Sequence, residues 1–117
     1  MGDAYSKRLA DLPGLQLPVE ESWARHVYWM YGVVLDEMTG MNASEFADEL
    51  KIKGVETRPF FLGMHEQPVF HNLGLFVDEH YPVTERIARQ GLYLPSGLSI
   101  KESQMDTVCD AMHTILS

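Results

Sequence analysis

The sequence contains a single cysteine, Cys109, so no disulfide can form within the chain. That usage suits a reducing compartment, and the cytoplasm is the expected location. No apolar run approaches the length of a membrane span and no secretory pattern is visible, so no membrane partner is expected. Basic residues are scarce: nine Lys and Arg stand against seventeen Asp and Glu, for a net charge of −8. The basic face that nonspecific nucleic-acid binding needs is therefore missing. The glycines are scattered and make no phosphate-cradling loop. Ser96 in "PSG" lacks the G-x-S-x-G frame of a nucleophile elbow and reads as a turn residue. His65 and His71 flank Glu66, but the spacing is not that of a zinc helix and Pro68 intervenes, so no metal is expected.

What is present is a chain of 117 residues, 45% hydrophobic. That suits one domain with a modest core. "DAYSKRLADL" reads as a helix with Leu9 and Leu12 one turn apart, ended by Pro13 and Gly14. "LQLP" follows as an extended connector. "HVYWMYGVVLDE" (26–37) is dense in β-branched and aromatic residues and reads as a central strand, with its aromatics packed in the core; a tyrosine hydroxyl at a cleft edge is the alternative. "ASEFADELKIKG" is helical, with Phe46, Ala47 and Leu50 on one face and Gly54 suited to the C′ position. "VETRPFF" reads as a second strand that ends or reaches an edge at Pro59.

"GMHEQPVFHNLGLF" reads as loop with one helical turn. Pro82 opens a short helix, "PVTERIARQ", which Gly91 closes. "LYLP" is a third short strand. Ser99 and Glu102 are spaced as a capping box for the last helix. Met105, Val108, Cys109, Met112, Ile115 and Leu116 form that helix's apolar stripe. The expected class is α+β: a small, three-stranded, mainly antiparallel sheet with helices packed mostly on one face.

The stretch "GVETRPFFLGMHEQPVF" (54–70) holds the best site candidates. Arg58 offers a fork of donors for phosphate or carboxylate. Phe60 and Phe61 offer ring faces to a sugar or base, and His65 and Gln67 can hydrogen-bond hydroxyls. The alternative is plain packing, with Arg58 paired to one of the many carboxylates and both phenylalanines in the core.

The blocks "GVETRPFF", "HEQP" and "GLYLPSGL", together with "YSKRLADLPGLQLP" and "HVYWMYGVVL", occur in an order and spacing that resembles one family. It is the PLP-dependent nucleotide-sugar aminotransferases of fold type I, the perosamine synthase-like group. The resemblance runs from about Tyr5 to Leu116 and is to the C-terminal small domain. It implies that residues 1–19 are a connecting helix and linker, and that 20–117 are the small domain. It implies an upstream domain carrying PLP, a homodimer in the intact enzyme, and a nucleotide-sugar substrate aminated from an amino acid, glutamate being the expected donor. It also places Arg58, Phe60, Phe61 and His65 near the substrate cleft. No lysine here has the context of the Schiff-base lysine, which a transaminase requires, so this chain alone is expected to be inactive and to bind no PLP. Two other readings stay open: a stand-alone binding module of the same fold, and an unrelated α+β scaffold.

Overall fold

A computed structural model describes all 117 residues. Helix α1 (Gly2–Leu9) leads into strand β1 (Leu15–Gln16), and β2 (Tyr31–Leu35) follows a long irregular segment. Helix α2 (Ala43–Ile52) and strand β3 (Arg58–Pro59) come next, then the short helix α3 (Pro68–Asn72) and α4 (Pro82–Gln90). Strand β4 (Gly91–Leu94) and helix α5 (Glu102–Leu116) complete the chain.

The sheet is antiparallel throughout, in the order β1-β2-β4-β3. The expected α+β class holds, with four strands rather than three. The added strand is the connector "LQLP", whose Leu15 and Gln16 pair with Leu35 and Val34. Two residues carry no legible alternation, so only the neighbouring strand reveals the pairing.

Side chains opposite one another in an antiparallel pair share a face. Tyr31, Val33 and Leu35 of β2 thus face the same way as Leu92 and Leu94 of β4. This face forms one core with Tyr5 and Leu9 of α1, Phe46 and Leu50 of α2, and Met105, Val108, Cys109 and Met112 of α5. Of the predicted α5 stripe, Ile115 and Leu116, in its last turn, are only partly buried. The stripe gains Ala111 instead.

The second face carries Gly32, Val34, Gly91 and Tyr93, with Arg58 opposite Tyr93 at the sheet edge. Here Phe60 lies flat across the strands. A Cβ on Gly32 would meet its Cζ at 2.8 Å, and one on Gly91 its Cδ2 at 2.4 Å. The two glycines therefore make the seat for that ring.

Local chemistry explains the helix ends. Asn42 Oδ1 accepts from the Glu45 N–H at 2.9 Å, and Glu45 Oε2 accepts from the Asn42 N–H at 2.9 Å. This reciprocal capping box starts α2. Gly54, at φ +81°, ends it. The Gly54 N–H donates to Lys51 O and the Val55 N–H to Leu50 O, a Schellman turn. The expected Ser99–Glu102 box does not form. Helix α5 begins at Glu102, and Gln104 Oε1 accepts from the Lys101 N–H at 2.9 Å. Polar residues crowd this boundary, and the turn before the helix shifts its N-cap by two residues, from Ser99 to Lys101.

The predicted strand over 26–37 shortens to Tyr31–Leu35. Tyr28 adopts φ +50°, a conformation bulky residues rarely take, which breaks the extended run. Its ring rests against the backbone of α1 at Gly2 and stacks on His26, centroids 4.2 Å apart. Ser96 then caps the strand's start. Its Oγ accepts from the Tyr31 N–H at 3.0 Å and donates to Leu94 O at 2.8 Å. This is the turn role expected for it.

Candidate functional site

An open cleft of about 1050 Å³ lies beside the sheet edge. Tyr28, Trp29, Arg58, Tyr93, Ser96 and Leu98 are among its lining residues. Strand β3 sets Arg58 there, because Pro59 has no N–H for a further ladder bond and leaves β3 at the edge.

Arg58 is exposed. The chain's ion pairs join Arg8 to Asp106 and Glu102, Arg89 to Glu37, and His65 and His80 to Glu85; Arg58 enters none of them. Its five donors remain free for an anion from outside the chain. Phe60 stacks on Tyr93 with centroids 4.4 Å apart and planes at 28°. Phe61 is tilted against Tyr93 at 5.6 Å and is 66% exposed. Arg58, Phe60 and Phe61 thus gather around Tyr93.

His65 is placed apart from them. It is 6% exposed and, like Phe60 and Phe61, does not line the cleft, so Arg58 alone of the four predicted residues does. Its Nε2 lies 2.9 Å from Glu85 Oε1, and its ring meets Tyr81 edge-on at 4.9 Å. The His65 bond, followed by the Tyr81 N–H at 3.2 Å, holds Glu85 below the ordinary carboxylate range. His71 Nε2 bonds the His65 carbonyl, and Gln67 Nε2 donates to Leu62 O at 3.0 Å. His65 and Gln67 therefore brace the excursion that runs from β3 to α4.

Two cleft residues escaped sequence reasoning. Trp29 was expected in the core with Tyr31. Tyr31 is fully buried, but Trp29 is 76% exposed at the cleft. The strand on which that expectation rested does not extend back to Trp29. Tyr93 had a usable signal: it alternates with buried Leu92 and Leu94, which places it on the opposite face.

Apolar exposure is concentrated near these residues in sequence. Trp23 and Val27 are 83% and 85% exposed, Leu73 and Val83 68% and 66%.

Cys109 is buried, as expected from the α5 stripe. Burial pushes its thiol up to about 11, against the opposing pull of Arg8. The four lysines, Lys7, Lys51, Lys53 and Lys101, are all exposed, and none borders the cleft. A Schiff-base lysine needs an enclosed pocket that lowers its pKa, so these residues do not fit attachment of PLP.

A one-sided antiparallel sheet under helices, with this element order, is the fold of an aminotransferase small domain. The DegT/DnrJ/EryC1/StrS aminotransferase family model matches residues 1–113, and the chain belongs to that family. It is 30% identical over 113 residues to a GDP-perosamine synthase of Caulobacter vibrioides, covering 96% of this chain and 30% of the relative. Among solved structures, DesI in the presence of its TDP-sugar product superposes with a TM-score of 0.79 at 31% identity, covering 97% of this chain and 29% of that one. DesV of S. venezuelae, in complex with a ketimine intermediate, does so with a TM-score of 0.82 at 26% identity and the same coverage. The chain spans about 30% of the length of the curated relatives it matches.

Proposed function

We propose that this chain is the C-terminal, substrate-covering domain of a PLP-dependent aminotransferase that passes an amino group, from glutamate, to a keto-sugar nucleotide. Residues 1–19 serve as the connecting helix and linker and 20–117 as the small domain. PLP and its lysine belong to an upstream domain, and the intact enzyme works as a cytoplasmic homodimer. The observation that supports this reading is the half-built cleft, whose wall holds Arg58, exposed and unpaired, and the exposed Trp29. Within it, Arg58 binds an anionic part of the substrate and the aromatic rings pack against sugar or base. His65 supports this wall from behind.

The test is Arg58→Ala in the protein that includes the upstream domain. A hydrogen bond to a charged group is worth about 1.5–3 kcal/mol, so kcat/KM for the sugar nucleotide should fall roughly ten- to hundredfold. The melting temperature should barely change, because Arg58 has no partner to lose. Wild-type kinetics for the variant would remove Arg58 from the site.

A further inference from the structure

We propose that His65, Glu66 and Glu85, with His80 on the open side, form a binding site for a divalent metal ion of the zinc class. The inference is independent of the aminotransferase reading.

The fold assembles what the sequence keeps apart. One ligand atom from each of His65, Glu66 and Glu85 lies within 4.8 Å of the others. His71, the other histidine flanking Glu66 in sequence, is not part of the group. His71 turns to the His65 carbonyl, and Glu85, twenty residues beyond His65, takes the facing position. His80 Nδ1 stands 3.5 Å from the same Glu85 Oε1 that His65 Nε2 approaches at 2.9 Å.

The two contacts to Glu85 Oε1 lie near the donor spacing of a small tetrahedral ion, and the wider separations within the group close by side-chain rotation. With ligand bonds of about 2.0–2.2 Å, neighbouring donors sit roughly 3.3–3.5 Å apart. Modest rotation of Glu85 opens the His65 contact to that value, and the His80 contact already has it. Nitrogen donors from two imidazoles favour zinc, cobalt or nickel over magnesium or calcium, which prefer oxygen throughout.

The site is also braced. The His65 ring is buried against Tyr81 and its carbonyl is held by His71, while the Tyr81 N–H orients the Glu85 carboxylate. Such outer contacts fix ligand orientation before an ion arrives. A bound ion would tie residues 65 and 66 to 80 and 85, closing the excursion that carries α3 and the exposed apolar side chains between them.

The test uses the chain stripped with EDTA and titrated with cobalt chloride, then with zinc chloride. One equivalent of cobalt should give a visible absorption band that zinc abolishes. Zinc at a hundredfold excess over its Kd should raise the melting temperature by roughly 8–16 °C. The double variant Glu66→Gln, His80→Gln should lose at least tenfold in affinity. Its metal-free melting temperature should match wild type, since Glu66 has no side-chain bond and His80 is 80% exposed. A His113→Gln control should bind as wild type does. Absence of a cobalt band overturns the proposal, and so does undiminished affinity in the double variant.

Discussion

Replacing Gly32 by Ala tests the seat beneath Phe60. The added Cβ would lie 2.8 and 2.9 Å from Phe60 Cζ and Cε1, and 3.3 Å from Tyr93 Cε1. Carbon atoms pack comfortably at about 3.5–4.0 Å, so the Phe60 ring must retreat by most of an ångström. Doing so disturbs its stack on Tyr93 at 4.4 Å. Overpacking of this kind costs about 1–3 kcal/mol. Against it stands a gain of about 0.4–1 kcal/mol from the reduced freedom of the unfolded chain. The half-buried ring has room to yield outward, which favours the lower part of the range. A net loss of up to about 1.5 kcal/mol is expected, lowering the melting temperature by up to roughly 9 °C.

The decisive measurement is a double-mutant cycle by urea denaturation. In a Phe60→Ala background the obstructing ring is gone, and Gly32→Ala should become neutral or stabilising. The coupling between the two changes should therefore be about 1–3 kcal/mol. Additivity to within about 0.5 kcal/mol would refute the packing of Phe60 on this face. So would a Gly32→Ala variant more stable than wild type.

Two further outcomes are expected. Asn42→Ala should cost about 0.5–2 kcal/mol in denaturation, whereas Ser99→Ala should stay within about 0.5 kcal/mol, and the reverse order would contradict the observed caps. Native Cys109 should resist a disulfide reagent at pH 8 and react only on unfolding. Because its folded value lies above the unfolded one, its contribution to stability is full below about pH 8.5 and fades as pH rises toward 11. Rapid native labelling at pH 8 would oppose this.

The residues that nucleate local structure were legible without coordinates. Pro82 opens α4 as its fixed φ favours, Gly91 follows its last residue, and Gly54 takes the left-handed turn after α2. The α5 stripe follows from helical periodicity, and the family from three motif blocks in order. Boundaries that depend on neighbours were not legible. Tyr28 leaves the extended conformation because its ring finds α1, and β1 exists only because β2 lies beside it.

The same division separates the candidate site residues. Sequence by itself singled out Arg58, Phe60, Phe61 and His65, because a cation, a proline and aromatic rings in one run are chemically conspicuous. Only the tertiary structure decided which of them share a place. Strand register put Arg58 and Phe60 on the open face with Tyr93, while return of the chain through α4 set Glu85 against His65 and drew that histidine away. Residue type and spacing act over a few positions of the chain. The partner of a charge or a ring is chosen by packing among residues far apart in sequence, and no local pattern encodes that choice.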